Sequence, residues 1–218
     1  MIVKKVLINK AHYPVNVLGY GKRAGIWFQG CDIGCPGCIS QDTWTDDPDK
    51  TMSTVDLVSW VMNVSSGFLD GITITGGEPF RQPEALLHIL ELLHNWRSEC
   101  EQPFDILCYS GYKYYKIEKD FKYILDLLDA IVPEPFIEEL MPGGALCGSS
   151  NQRVIPLSQL GAARYKMHET IQINKRMQVM AHDGRLWFIG IPEQNDMSRM
   201  ERLCIDKGLT MTGVSWRA

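Results

Sequence analysis

The sequence predicts an α/β fold, a parallel sheet of alternating strands and helices with a small β-β-α-β unit appended at its C-terminal end. Three observations predict it. Short β-branched or apolar runs alternate with helical stripes as far as Val132. Strand-like runs stop at glycine, proline or serine, as strands do when they feed loops at one edge of a parallel sheet. Residues 158–218 then change style and read as a hairpin, a helix and a strand. At 218 residues the chain can bury one core. It falls short of the roughly 250 residues of a complete eight-fold barrel, so a partial barrel or a smaller α/β layer fits.

In chain order, Ile2-Val3-Lys4-Lys5-Val6-Leu7-Ile8 reads as a strand. The glycine-rich loop Gly19-Tyr20-Gly21-Lys22-Arg23 leads into a second strand at Ile26-Trp27-Phe28, whose aromatics read as core. Ser53 can N-cap a helix running to residue 64, because its hydroxyl accepts a bond from an orphan backbone N–H. Gly71-Ile72-Thr73-Ile74-Thr75 has the composition of a buried parallel strand. A helix over residues 83–97 carries Leu86, Leu90 and Leu93 on one stripe, with proline in its first turn. Residues 104–109 form a strand ending at Ser110-Gly111, residues 121–128 a helix, and Ala130-Ile131-Val132 a strand. Residues 177–181 and 186–189 flank Asp183-Gly184, a two-residue hairpin signal. A helix over 197–207 stops at Gly208, and 209–216 reads as a final strand. With no repeat or clean linker, the division is a core of residues 1–157 and an extension of residues 158–218 packed on it.

The net charge of -4 and a pI near 5.7 argue against a dedicated nucleic-acid or anionic-membrane surface. No apolar run approaches the roughly 20 residues of a membrane span. The start, MIVKKVLINKAHYP, is too short in its apolar stretch for a secretory signal, so the cytoplasm is the expected location. Seven cysteines are many for such a protein, and three of them, Cys31, Cys35 and Cys38, fall within one short loop. Metal or cluster binding explains that group better than disulfides. Cys100, Cys108, Cys147 and Cys204 are scattered in apolar surroundings and read as small buried hydrophobes.

The loop runs Gly30-Cys31-Asp32-Ile33-Gly34-Cys35-Pro36-Gly37-Cys38, a C-x3-C-x2-C spacing that brings three thiolates within reach of one inorganic centre. Gly34, Pro36 and Gly37 forbid a regular helix, and glycine lets backbone N–H groups approach cluster sulfurs. Three ligands leave one metal position open to substrate, as catalytic zinc sites do. From spacing alone, a structural zinc site completed by a distant cysteine, or three buried or redox cysteines, remain alternatives.

A second motif, Gly76-Gly77-Glu78-Pro79, follows the third predicted strand. In this order the two motifs resemble the radical S-adenosylmethionine (SAM) superfamily. The resemblance implies a partial (β/α) barrel in which Cys31, Cys35 and Cys38 hold a [4Fe-4S] cluster. It further implies that Gly76, Gly77, Glu78 and Pro79 bind SAM, a carboxylate at Glu78 being suited to an ammonium group in a partly dry site. Cys35-Pro36-Gly37-Cys38 through Trp44, Tyr109-Ser110-Gly111-Tyr112-Lys113 and Gly148-Ser149-Ser150-Asn151-Gln152 are similar to the anaerobic ribonucleotide reductase activating proteins, which are glycyl-radical activases. The likeness covers roughly residues 12–157 and implies that Ser110 and Gly111 lie near SAM. Departures are visible. Ile39-Ser40 replaces an aromatic and an asparagine, Val132-Pro133-Glu134-Pro135-Phe136 replaces an aspartate-glycine pair, and residues 158–218 have no counterpart in the short activases.

The implied chemistry is reductive cleavage of SAM to a 5′-deoxyadenosyl radical, which removes hydrogen from a substrate. The implied partners are a glycyl-radical enzyme and an electron donor such as flavodoxin or ferredoxin. A radical SAM enzyme acting directly on a small molecule or peptide is the alternative, suggested by the extension. No general acid or base is demanded, so His12, His168 and His182 receive no catalytic role and no catalytic side chain is assigned. Arg23, ahead of the cysteines, reads equally well as a contact to SAM or a partner and as a solvated loop charge.

Overall fold

The computed structural model describes residues 3–166, 177–182 and 184–217. Ile2, His168 and Asp183 lie outside the described residues. The first pair of strands is β1 (Lys5–Val15) and β2 (Arg23–Phe28), antiparallel to each other. A short edge strand, β3 (Thr51–Ser53), pairs with the other side of β1 and leads into α1 (Thr54–Ser65). As expected, Ser53 caps that helix, its Oγ accepting from the N–H of Val55 at 3.1 Å and of Asp56 at 3.4 Å.

Next come β4 (Gly71–Gly76), α2 (Pro83–Ser98) and β5 (Asp105–Tyr109). They are followed by α3 (Tyr114–Asp120), α4 (Lys122–Leu125), β6 (Ala130–Val132), β7 (Ile155–Pro156) and α5 (Gln159–Tyr165). The order across the seven-stranded sheet is β3-β1-β2-β4-β5-β6-β7. Its centre, β2-β4-β5-β6, is wholly parallel. The four strands therefore deliver four loops to one edge, where α/β sheets place their sites.

Side chains alternate between the sheet's faces with the period of two that strands impose. Ile26, Phe28, Ile72, Ile74, Ile106 and Cys108 face the helical layer of α1 to α4. Leu86, Ile89, Leu90 and Leu93 of α2 are fully buried there, each worth roughly 1.5–3 kcal/mol of burial. Leu107, Ala130 and Val132 point the other way and pack with Leu146, Cys147 and Tyr165.

The extension holds a separate two-stranded sheet, β8 (Met177–His182) with β9 (Arg185–Gly190), and α6 (Asp196–Asp206). The register His182↔Arg185 closes the hairpin where the sequence signal placed it. This sheet packs on the face away from the helices, with Ile189 buried against Val15, Val17, Leu18 and Trp27. Gln178 Nε2 donates to the carbonyl of Pro14 at 2.8 Å.

Three expectations need correction. Residues 209–217 form no strand: that stretch has no partner strand and runs on as an irregular tail. The helix expected over 121–128 is only the four-residue α4, and α3, absent from the sequence expectations, precedes it; between them Phe121 leaves helical geometry with φ -133° and its ring packs on Phe80 at 5.4 Å. Arg23 is neither a ligand contact nor solvated. It is fully buried at the head of β2, paired with Asp105 at 2.8 Å and donating to Thr73 Oγ1 at 2.7 Å. No helix among the described residues is long and apolar enough to cross a membrane.

Candidate functional site

The loops leaving β2 and β4 are zipped together beyond the strands. Gly77 N–H donates to the carbonyl of Phe28 and Glu78 N–H to that of Gly30, both at 2.9 Å. A side chain at either glycine has nowhere to go. At Gly76, with φ +104°, a Cβ collides with the backbone of Phe28, and at Gly77 with the carbonyl of Gly30. The double glycine thus lets the motif after β4 lie directly on the root of the cysteine loop. Beyond Gly30, Cys31 N–H bonds the carbonyl of Trp44 at 3.0 Å, and Cys38 N–H that of Cys35 at 3.1 Å. Arg81 and Asp46 form a two-pronged ion pair, at 2.6 and 2.8 Å, across the backbone of Gly30.

The loop leaving β5 completes the arrangement. Glu78 is fully buried, and its carboxylate accepts from Ser110 Oγ at 2.9 and 3.0 Å, from Gly111 N–H at 2.8 Å and from Phe80 N–H at 3.0 Å. Burial pushes that carboxyl up to about 7, against the pull of those donors. Gly111 lies against the tip of the Ile33 side chain of the cysteine loop. Tyr112 Oη reaches Asp32 Oδ2 at 2.8 Å, tying the same turn to the residue after Cys31.

All these loops open on one cavity of about 1410 Å³. Its walls include Cys31, Cys35, Cys38, Gly76, Gly77, Ser110 and Gly111. Seven of the nine residues singled out from the sequence therefore meet in one space, while Glu78 and Pro79 are buried behind it. The four other cysteines are elsewhere, with Cys108, Cys147 and Cys204 buried as expected and Cys100 half-buried.

The three loop thiols are the residues that could hold an inorganic centre. Burial pushes the Cys35 and Cys38 thiols above their ordinary range, and neighbouring cysteines add to it. A cationic centre reverses both effects by binding the thiolates, so the donor set suits iron. Among the described residues no group of three or more His, Cys, Asp or Glu, the loop cysteines included, is gathered as a single metal ion needs.

Some contributors escape sequence reading. Asp46 and Arg81 carry no motif signal, and Asp32 and Tyr112, though inside quoted motifs, have no role that the motifs state; the two pairs join across 35 and 80 residues of chain. The Gly148–Gln152 turn is a clip for the loop after β6. Gln152 Nε2 donates to the carbonyl of Glu134 at 2.8 Å, and Asn151 Nδ2 to that of Pro135 at 2.9 Å. Glu134 sits at φ +83°, the left-handed conformation usual for glycine, and its Oε1 accepts from Tyr114 N–H at 3.0 Å.

Comparison with known proteins gives a consistent set of likenesses. Residues 17–155 match the family described as 4Fe-4S single cluster domain. The anaerobic ribonucleoside-triphosphate reductase-activating protein of Escherichia coli (strain K12) is 31% identical over 147 residues, which is 66% of this chain and 94% of that protein. The pyruvate formate-lyase-activating enzyme of Clostridium pasteurianum is 35% identical over 77 residues, 34% of this chain and 32% of its own. The solved structure of QueE from Escherichia coli overlays 49% of this chain and 52% of its own with a TM-score of 0.41 and 23% identity, too loose a fit to carry an argument.

Proposed function

The chain belongs to the 4Fe-4S single cluster domain family, and on that premise we propose that it is a radical SAM activase that installs a glycyl radical on a partner enzyme such as anaerobic ribonucleotide reductase. In this reading Cys31, Cys35 and Cys38 hold a [4Fe-4S] cluster. Gly76 and Gly77 take up SAM through their backbone, beside Ser110 and Gly111, with Glu78 and Pro79 completing the binding motif from behind. The cluster, when bound, supplies one electron for reductive cleavage of SAM to a 5′-deoxyadenosyl radical, which removes hydrogen from the acceptor.

The observation that carries the reading is the meeting of the three thiols with the Gly76-Gly77 and Ser110-Gly111 turns in one cavity. The protein's own part is orientation. Glu78 holds the Ser110-Gly111 turn in place, and apolar side chains such as Trp27 and Val132 form part of the cavity wall. The same reading takes the sheet as a partial barrel, residues 1–157 as the activase core and residues 158–218 as an extension packed on it. It places the protein in the cytoplasm with an electron donor such as flavodoxin or ferredoxin.

The test is anaerobic. The iron-loaded protein, reduced in the presence of SAM, is expected to release 5′-deoxyadenosine, and to raise a glycyl EPR signal on an anaerobic ribonucleotide reductase from the same source. Absence of 5′-deoxyadenosine overturns the radical SAM reading; its formation without any glycyl signal favours the second reading, direct action on a small molecule or peptide. One feature supports that second reading: Trp187, Phe188 and Trp216 of the extension also line the cavity.

A further inference from the structure

The tail touches the cysteine loop directly. Ser215 Oγ donates to the carbonyl of Ile39 at 3.0 Å, and the carbonyl of Ser215 accepts from Asp42 N–H at 3.2 Å. These two bonds bracket the turn that begins one residue after Cys38. On its inner side that turn is held by the main sheet. Gln29 Nε2 donates to the carbonyl of Asp42 at 3.2 Å, and Lys10 pairs with the Asp42 carboxylate at 2.8 Å. On its outer side Ser215 is the contact. The tail is itself pinned by contacts with α6 and β9. Trp216 Nε1 donates to Glu201 Oε1 at 2.6 Å, Arg217 pairs with the same carboxylate, and the Trp216 ring meets Phe188 edge-on at 5.7 Å.

We propose that Ser215 is a positioning residue for the third cysteine: the tail clamps the 39–42 turn from outside, fixing Cys38 and shielding it from solvent. The role in cluster chemistry rests on the cysteine loop being the cluster site, while the clamp stands on the contacts alone. It gives residues 158–218, which lie beyond the family match, a task at the site. The anchor on α6 matters as much as the contact, because a tail free at Trp216 has no means of holding Ser215 against the loop.

The test uses the full-length chain in two states. In the metal-free protein, Ser215→Ala, Trp216→Ala and Glu201→Ala are expected to speed hydrogen exchange over residues 38–44 and alkylation of Cys38 about tenfold, equivalent to ~1.4 kcal/mol of local opening. Ser215→Thr, which keeps the hydroxyl, is expected to stay near the original rates. In the iron-loaded protein the same variants are expected to shift the EPR line shape of the reduced cluster, again with rescue by threonine. Unchanged exchange and alkylation in all three variants overturn the proposal. So does a rise spread equally over β4 and β5, which shows general loosening. A chain that never loads iron, with the metal-free rates changed as expected, overturns the cluster reading and leaves the clamp in place.

Discussion

Glu78 and Ser110 stand at the ends of neighbouring parallel strands, and the Ser110 hydroxyl lies 2.9 and 3.0 Å from the two carboxylate oxygens of Glu78. With Gly111 N–H on the same carboxylate, a glutamate that reads in sequence as a ligand-facing group becomes the brace of the turn beside it. Glu78→Ala leaves Gly111 N–H and Phe80 N–H without a partner in a buried place. Each such group costs about 1–3 kcal/mol. The variant is expected to lose SAM affinity by equilibrium dialysis while keeping its iron, since the thiols are untouched.

The same residue sets a pH dependence. Its carboxyl is pushed from 4.5 up to about 7 by burial, so between those values the folded chain keeps a proton that the unfolded chain has lost. The stabilisation is therefore fully present below pH 4.5 and lost as pH rises through about 7, by on the order of 3 kcal/mol. Urea unfolding of the metal-free chain is expected to show falling stability from pH 5 to pH 8. Glu78→Gln is expected to flatten that slope.

Asp105 behaves in the opposite sense. Burial raises its carboxyl, but Arg23, Tyr165 and Arg164 outweigh it and the net shift is downward. Its contribution is present above the ordinary aspartate range and lost as pH falls through its lowered value. Asp105→Asn strands the buried Arg23 charge and is expected to cost roughly 3–5 kcal/mol in chemical unfolding. A loss under 1 kcal/mol contradicts the buried pair.

Gly77→Ala pushes a methyl group into the carbonyl of Gly30. Because that carbonyl belongs to the root of the cysteine loop, the variant is expected to lose iron loading at least as much as SAM binding, with an overpacking cost of about 1–3 kcal/mol. Iron content after anaerobic reconstitution, beside circular dichroism for the fold, separates the two effects.

Cys31→Ala, Cys35→Ala and Cys38→Ala are each expected to abolish stable iron loading. Cys147→Ala, whose thiol is buried beside Leu146 on the sheet, is expected to keep it. Colorimetric iron and the visible absorption of the reconstituted protein decide. Full loading of any of the first three removes that residue from the ligand set.

Much of this site was legible because its parts are local. A strand that runs into a glycine-rich turn, the cap at Ser53 and the hairpin around Gly184 depend on residues a few positions apart. Arg23 was not legible, since its partner lies 82 residues away and its neighbours, Gly19 and Gly21, look like those of a solvated loop. The brace at Glu78 was hidden likewise, for nothing in Gly76-Gly77-Glu78-Pro79 says which way the carboxylate turns. The tail misled because its apolar residues suit a strand, and a strand exists only where another has a free edge to offer. Two-residue β7 is too short to leave any periodic signal.

The Asp105 hub also bears on how a chain of this kind can be shortened. Arg164 and Tyr165 of α5 reach Asp105 at 2.5 and 2.6 Å, so a helix past the family match finishes a charge balance begun at the head of β2. A cut at residue 157 removes one cation and one hydroxyl from a sealed acid; a cut at 166 removes neither. A minimal version of the protein that still refolds is expected to end after Tyr165. A change at Arg164 has to be answered at Asp105, 59 residues upstream.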